Sequence, residues 1–143
     1  GPADKLLRPG GIVDMLTGEG RQLAMVQAFL PAVAQGDKRV LLLDGEPLGA
    51  ILRVPRQDEI RSNIHVGGSV VPTELTAREQ ELVKAVASKL RADGLIFVGL
   101  DVIGGRLTEV NVTSPTGIQQ MMRLDGVNYA ARVIDAFEAR AAR

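Results

Sequence analysis

The sequence predicts an α+β fold in which helices flank an antiparallel sheet. Two glycine-containing dipeptides, Asp44-Gly45 and Gly104-Gly105, each separate two apolar runs of strand length, and this pattern is typical of β-hairpins. Two amphipathic helices are also predicted, at residues 76–93 and about 127–142. Hairpins pair their strands antiparallel, and two such helices can cover one face of the sheet, so a layered α+β sandwich follows.

The composition indicates a single domain and excludes several classes of protein. Of the 143 residues, 45% are apolar but only 3% are aromatic, so aliphatic side chains must fill the core. Seventeen basic residues balance seventeen acidic ones, and we therefore expect no nucleic-acid partner. No apolar run approaches the ~18 residues of a membrane span, so we expect no membrane partner. The absence of cysteine excludes disulfides and fits a cytoplasmic location.

The first thirty residues carry weaker signals. Residues 1–11 are polar and interrupted by proline and glycine, and they are predicted as a loop or, from Gly1-Pro2, as the remnant of a protease cleavage site. Residues 12–143 are predicted to form the folded domain, which opens with a short helical turn at 12–16. The mostly apolar run 22–30 is predicted as a buried strand, although a helix has the same apolar content.

The first hairpin is predicted at residues 39–54, around the Asp-Gly turn. With a two-residue turn, Arg39 is expected near Leu48 and Gly49. The polar stretch 55–69 is long for a loop, and it is either a mobile lid or a disordered surface excursion. It contains His65, the sole histidine of the chain, which we expect to be structural or solvent-facing because no serine or cysteine partner pattern accompanies it.

The helix at 76–93 has both of its ends marked in the sequence. Thr76 and Glu79 form a capping box, and Gly94 stands where a helix-ending glycine belongs. A buried strand at 95–103 and a second strand at 106–112 follow, joined by Gly104-Gly105. The last helix is expected to bury the stripe Val127, Ala130, Ile134, Phe137 and Ala141.

Three polar residues interrupt these last two strands: Asp101, Glu109 and Asn111. A buried carboxylate without a partner costs several kcal/mol, and a bound cation such as magnesium resolves that cost with oxygen ligands. A three-residue Gly-Gly-Arg turn with a bulge sets Asp101 opposite Glu109, whereas a two-residue turn sets it opposite Thr108. The metal hypothesis therefore predicts the bulged turn. The alternative is that these are ordinary acidic residues at exposed strand ends.

Arginines and hydroxyl groups form further candidate binding positions. Arg39 and Arg53 stand near the ends of the first hairpin, either lining one phosphate-binding cleft or lying separately at the surface. The segment 113–117 contains serine and threonine before a glycine. It is a strand-to-helix turn with Ser or Thr as its cap, and a helix that begins there also favours a carboxylate or phosphate.

Taken in order, these segments resemble the ATP-grasp family, and within it the prokaryotic glutathione synthetases. The resemblance covers roughly residues 12–137. It is carried by Gln27-Ala-Phe-Leu-Pro31, Gly36-Asp-Lys-Arg-Val40, Asp44-Gly-Glu-Pro47, Arg53-Val-Pro55, Arg61-Ser-Asn63, Gly67-Gly68, Gly94-Leu-Ile-Phe-Val-Gly-Leu-Asp101 and Thr108-Glu-Val-Asn-Val-Thr-Ser-Pro-Thr116. It implies the carboxyl-terminal subdomain of an ATP-grasp fold.

The resemblance implies a role for each matched residue. Asp101, Glu109 and Asn111 match magnesium ligands, with manganese as an alternative ion, and Arg39 and Arg53 match arginines at the phosphoryl-transfer centre. ATP binding is implied for the hinge residues Gln27, Ala28, Phe29 and Leu30, which match a strand whose backbone contacts adenine. It is also implied for Asp37, which matches a residue beside the ribose. Substrate contacts are implied for a closing loop and the turn after the last strand, namely Arg61, Asn63, Gly67, Gly68, Ser114, Pro115 and Thr116.

The implied reaction joins γ-glutamylcysteine to glycine through an acylphosphate, with ATP as co-substrate. The resemblance implies a cytoplasmic enzyme that forms a homo-oligomer. The family also has an amino-terminal domain and a segment with nucleotide-binding lysines and a glycine-rich loop, which residues 1–143 do not match, so we expect a fragment with little or no activity. At Ala28, where relatives often carry a polar side chain, only a backbone contact to adenine remains.

Two other functions are compatible with the sequence. Another ATP-grasp ligase, adding an amino acid to a peptide or protein, would share the metal set. A non-catalytic nucleotide-binding module would keep the fold but has no need of Asp101, Glu109 and Asn111.

Overall fold

The computed structural model describes residues 9–55 and 69–142 and confirms the predicted fold class. A five-stranded antiparallel sheet has the strand order β3-β2-β1-β4-β5. Its strands are β1 (Asp37–Leu43), β2 (Glu46–Val54), β3 (Ser69–Pro72), β4 (Phe97–Ile103) and β5 (Arg106–Asn111). The helices are α1 (Pro9–Thr17), α2 (Ala77–Ala92), α3 (Ile118–Asp125) and α4 (Tyr129–Ala141), with a short 3₁₀ helix at Pro31–Gln35. Among the described residues, no helix has the length and apolar content needed to cross a membrane.

The β1–β2 hairpin has the predicted turn but a different register. Asp44 and Gly45 both have positive φ, at 53° and 79°, as a type I′ turn requires. Leu48 is an extra residue in β2, because Leu41 pairs with Gly49 and Leu42 with Pro47. The expectation that Arg39 lies near Leu48 and Gly49 is wrong: the two-residue turn alone sets Arg39 opposite Ala50, and the bulge moves its partner one residue further to Ile51.

The β4–β5 hairpin reaches the expected pairing by another route. Gly104 and Gly105, with φ of 56° and 70°, form a two-residue turn, so the predicted three-residue Gly-Gly-Arg turn is wrong, but the bulge predicted with it is present. The extra residue is Thr108, which lies in β5 between the pairs Val102–Leu107 and Asp101–Glu109. The bulge thus sets Asp101 opposite Glu109, as the metal hypothesis required.

Helix α2 covers one face of the sheet. Thr76 and Glu79 form the predicted capping box, and Gly94, with φ of 73°, follows the helix end. The core between α2 and the sheet is aliphatic and contains Val40, Leu42, Ala50, Val83, Leu90, Val98 and Leu100. The short strand β3, which the sequence did not predict, pairs with the last four residues of β2.

Helices α3 and α4 pack on the other face. Their core contacts include Met121, Tyr129 and Val133, which pack against Leu41 and Ile51. The predicted α4 stripe is wrong, because Ile134 and Phe137 are exposed while Tyr129 and Val133 are buried. Helices α3 and α4 thus lie on the side of the sheet opposite α2, so both faces are covered, and the expectation that the two predicted helices cover one face is wrong.

The segment before β1 differs most from the expectation. Helix α1 begins at Pro9, so the predicted loop 1–11 is wrong for its last three residues, and the helical turn predicted at 12–16 lies within α1. Residues 23–30 form neither strand nor helix. Leu23, Met25, Val26 and Phe29 are exposed. The buried strand predicted at 22–30 is therefore wrong, because no described strand or helix covers these side chains.

Candidate functional site

Four charged residues form a buried ionic cluster on the face of the sheet that carries α3 and α4. Arg39 donates hydrogen bonds to both carboxylate oxygens of Asp101 through Nε and Nη2, the latter at 2.8 Å from Oδ2. Nη2 of Arg53 lies 3.0 Å from Asp101 Oδ1 and 2.5 Å from Asp37 Oδ2. These four side chains are only 6–13% exposed. Asp37, Arg39, Arg53 and Asp101 are called the ionic cluster below.

Strand register explains why these residues meet. Arg39 on the central strand β1 lies opposite Asp101 of β4 and opposite Ile51 of β2. Arg53, two residues beyond Ile51, shares its face and lies opposite Asp37. Both arginines therefore point to the same side of the sheet and are buried there, so the alternative that they lie separately at the surface is wrong.

Burial and charge act against each other in the cluster. Burial raises the pKa of Asp37 above its ordinary value, and the nearby Asp101 charge adds to this, despite the opposing charge of Arg53. At Asp101 burial also favours the neutral form, but the hydrogen bonds and charges of Arg39 and Arg53 outweigh it and lower the pKa. Asp101 is thus the more firmly ionised carboxylate of the two.

Glu109 and Asn111 extend the cluster along β5. Glu109 lies opposite Asp101, and Asn111 lies opposite Gly99 on the same face. Nδ2 of Asn111 is buried and has no hydrogen-bond partner. Among the described residues no three Asp, Glu, His or Cys side chains are close enough together to hold a metal ion. The available donors are therefore two carboxylates and one amide, whose rotation would present its oxygen, and this all-oxygen set fits a hard divalent cation.

Two glycines make room for Arg39. A Cβ added at Gly99 would lie 3.4 Å from Cδ and Nη1 of Arg39 and 2.9 Å from Cβ of Pro115. A Cβ at Gly117 would lie 3.4 Å from Cγ of Arg39. Through this slot Nη1 of Arg39 donates a hydrogen bond to the carbonyl of Thr116, at 3.1 Å. Sequence reasoning missed both glycines, although a glycine inside an apolar strand signals close approach of another group.

The turn at Ser114, Pro115 and Thr116 thus lies beside the ionic cluster. Its predicted Ser or Thr cap is wrong, because Gly117, with φ of 113°, is the N-cap residue of α3 and no side chain caps the helix. Only glycine accommodates this backbone conformation without strain. The turn is connected to the cluster through Arg39 and not through a helix cap.

The four hinge residues line a separate pocket. Gln27, Ala28, Phe29 and Leu30 border a cavity of about 610 Å³, opposite Ile103, Arg106, Leu107 and Thr108. The hydroxyl of Thr108 donates a hydrogen bond to the carbonyl of Asp101, at 3.1 Å, which connects this pocket to the cluster. Asp37 does not line the pocket but pairs with Arg53. Arg106 is a pocket residue that the sequence reasoning missed.

Residues 7–126 match the family model of the prokaryotic glutathione synthetase ATP-grasp domain. The chain belongs to this family. It is 54% identical over 123 residues to the glutathione synthetase of Synechocystis sp., covering 86% of this chain and 38% of that protein. It is 49% identical over 129 residues to the Agrobacterium fabrum glutathione synthetase, covering 90% and 40%. The chain therefore spans about two fifths of the length of the curated relatives it matches.

Solved structures show the same fold at low sequence identity. A D-alanine–D-alanine ligase from Bacillus anthracis complexed with ATP superposes with a TM-score of 0.56 at 14% identity. The superposition covers 95% of this chain and 48% of that ligase. At this identity the similarity concerns the ATP-grasp fold alone.

Within the family fold, the structure brings together part of the predicted site. The three metal candidates, the two arginines and the 114–116 turn lie around one cluster, and the hinge residues lie around the neighbouring pocket. Arg61, Asn63, Gly67 and Gly68 lie outside the described residues, as do His65 and most of the predicted lid. The roles of all these residues stay predictions.

Proposed function

We propose that this chain supplies the metal- and phosphoryl-binding part of an ATP-dependent ligase that joins γ-glutamylcysteine to glycine. The observation that carries the proposal is the ionic cluster, in which two arginines and two carboxylates share one buried face beside Glu109. A structural scaffold has no need of so many buried charges, each of which is costly to desolvate. The sequence identity to proteins named glutathione synthetase supports the choice of substrates.

The positions of the two arginines support a role in phosphoryl transfer. A guanidinium presents several N–H donors in a plane and can bind two phosphate oxygens at once. Arg39 and Arg53 enter the site from neighbouring strands and so can hold different oxygens of the transferring group. Spreading the charge of that group is the main task of a protein in phosphoryl transfer.

Asp101, Glu109 and Asn111 would hold the divalent cation, which we propose to be Mg²⁺. Bound there, the cation would neutralise phosphate charge next to the arginines. The pairing of β4 with β5 sets Asp101 and Glu109 opposite one another. Thr108, the bulge residue between them and the turn, anchors the backbone through its bond to the Asp101 carbonyl.

We propose that adenine, the ribose and the substrate carboxylate bind around the ionic cluster. The backbone of Gln27 to Leu30 would contact adenine, since Ala28 has no polar side chain, and Asp37 would reach the ribose. Ser114, Pro115 and Thr116 would lie near the substrate carboxylate, while Arg61, Asn63, Gly67 and Gly68 would close over it. We further propose that the whole enzyme is cytoplasmic and homo-oligomeric.

A chimera tests the function. Residues 7–126 replace the matching segment of the Synechocystis enzyme, and ATP-dependent glutathione formation is measured by chromatography. The chimera is expected to be active, and Asp101→Asn in it is expected to lower kcat about 100-fold or more, as loss of one charge-stabilising group does. The 143-residue chain alone is expected to form no glutathione.

The matched control is Asp93→Asn in the same chimera, because Asp93 pairs with Lys89 at the exposed end of α2. A folded chimera that hydrolyses ATP but forms no glutathione would contradict the substrate assignment. Activity with amino acids other than glycine would instead favour another ligase of the family.

A further inference from the structure

Asp101, which is proposed to bind the cation, already forms ion pairs with two arginines of the same chain. Both oxygens of Asp101 accept hydrogen bonds from Arg39, and Arg53 lies 3.0 Å from Oδ1. The side chain of Asp101 is only 6% exposed. A divalent cation that approaches Asp101 therefore meets two guanidinium groups that occupy its ligand.

The charge of the surroundings favours a cation only weakly. Asp37, Asp101 and Glu109 carry three negative charges, and Arg39 and Arg53 carry two positive ones, which leaves one net negative charge. Adding a free divalent cation makes the group net positive and places it against two buried guanidinium groups. Adding a polyphosphate together with the cation restores the balance, because the phosphate oxygens bind the arginines.

Each arginine has a second partner that keeps it in the site. Arg53 donates from Nη2 to Asp37 at 2.5 Å, so it remains paired when it leaves Asp101. Arg39 donates from Nη1 to the Thr116 carbonyl, and its side chain runs between Gly99 and Gly117. Release of Asp101 therefore needs only a small shift of each guanidinium, and neither is left unpaired in the interior.

We propose that Arg39 and Arg53 are a resident counter-ion that keeps a free divalent cation off Asp101 until a polyphosphate binds. Cation and polyphosphate then enter the site as one unit. This inference rests on the proposed role of Asp101 as a cation ligand. It gives the arginines a task before phosphoryl transfer, namely to prevent the site from filling with metal alone.

The test is one substitution measured against two separate probes. Arg53→Gln is expected to raise the affinity of the chain for Mn²⁺ alone about tenfold or more, because one of the competing charges is removed. The same substitution is expected to lower the affinity for inorganic tripolyphosphate without metal, because a phosphate donor is lost. Free Mn²⁺ is measured by electron paramagnetic resonance and tripolyphosphate binding by calorimetry.

Three companion variants make the result specific. Arg53→Lys keeps the charge and is expected to leave the Mn²⁺ affinity near that of the wild type, whereas its affinity for tripolyphosphate should fall because an ammonium group lacks the planar pair of donors. Lys84→Gln removes a positive charge from α2, which packs on the opposite face of the sheet, and is expected to change neither. Adding Asp101→Asn to Arg53→Gln is expected to abolish the gain in Mn²⁺ affinity.

The outcomes separate the inference from the function on which it rests. A folded Arg53→Gln variant with unchanged or lower Mn²⁺ affinity overturns the inference, and Arg39→Gln provides the same test if Arg53→Gln does not fold. A purely structural defect lowers the affinity for both probes. If no variant with Asp101 intact binds Mn²⁺ at millimolar concentrations, the cation site itself is wrong and the proposed function loses its support.

Discussion

Lys38 and Glu79 form a buried ion pair on the face of β1 opposite the ionic cluster. Nζ of Lys38 lies 2.6 Å from Glu79 Oε2 and donates to the Glu74 carbonyl at 2.8 Å. The same Glu79 oxygen accepts the backbone N–H of Thr76, so a single carboxylate serves both the capping box and the ion pair. The pair therefore ties β1 to the start of α2.

Breaking this pair on one side is expected to cost more than removing it entirely. Lys38→Met leaves the Glu79 carboxylate buried without its cation and should lower the free energy of unfolding by about 3–5 kcal/mol. Adding Glu79→Leu removes the stranded charge and should recover most of that loss, less about 1 kcal/mol for the lost cap. Urea unfolding of the four proteins in this double-mutant cycle measures the coupling. Additive effects would mean that the two side chains do not interact in solution.

Gly99 is expected to tolerate no side chain. Gly99→Ala places a Cβ 2.9 Å from Cβ of Pro115, which forces the 114–116 turn away from β4 and should cost about 1–3 kcal/mol. Gly10→Ala is the matched control, because nothing lies within 4 Å of a Cβ there and the residue is helical. That substitution should be neutral or stabilise the protein by up to about 1 kcal/mol. Equal thermal midpoints for the two variants would contradict the close packing at Gly99.

At the scale of single elements, the sequence correctly predicted the features that depend only on neighbouring residues, namely helix ends and one turn. The capping box at Thr76 and Glu79 and the glycine after α2 have their effects within one helical turn, and the structure confirms both. The Asp44-Gly45 turn was predictable for the same reason, since positive φ is a property of the residues themselves. No tertiary contact is needed to read any of these signals.

The features that sequence reasoning missed depend on distant parts of the chain. Leu48 is a bulge residue that nothing in its own sequence marks, and the bulge that was expected at the Gly104-Gly105 turn lies instead at Thr108. These two bulges set the registers that bring Arg39, Arg53, Asp101 and Glu109 together. The pairing of Asp101 with Glu109 was predicted from the wrong turn, so the metal chemistry and not the turn geometry led to it. Strand β3 is too short for periodicity to reveal.

Helix α4 provides a direct test of a corrected prediction. Its apolar content suggested burial of Ile134 and Phe137, but the structure buries Tyr129 and Val133. Val133→Ala should therefore lower the free energy of unfolding by about 1–3 kcal/mol. Ile134→Ala, at a side chain that is 53% exposed, should change it by less than about 0.5 kcal/mol. If chemical denaturation showed a larger loss of unfolding free energy for Ile134→Ala than for Val133→Ala, the buried stripe predicted from the sequence would be correct.

At the scale of the whole molecule, the apolar faces of the sheet are covered, whereas apolar side chains near the start of the described chain are exposed. Both faces of the sheet are covered by helices, but α1 exposes Ile12, Val13, Met15 and Leu16. The segment after it exposes four more large apolar side chains, Leu23, Met25, Val26 and Phe29. Such a concentration of apolar side chains is typical of surfaces that contact another part of a protein or another chain. The sequence correctly showed an apolar run at 22–30, but the strand predicted there was expected to be buried within this domain.

We therefore expect the 143-residue chain to self-associate in solution through residues 12–29. Light scattering should show a mass that rises with concentration, because exposed apolar surface is removed from water when copies meet. Leu23→Ser combined with Val26→Ser should shift the chain towards the monomer, since both side chains are more than 80% exposed and lie outside the core. Val127→Ser, at an exposed position between α3 and α4, is the control and should leave the mass unchanged. A wild-type chain that stays monomeric at all concentrations would show that this apolar surface alone does not drive self-association. Contact with another chain would then depend on hydrogen bonds of the backbone at 23–29, which forms no strand or helix hydrogen bonds in this structure.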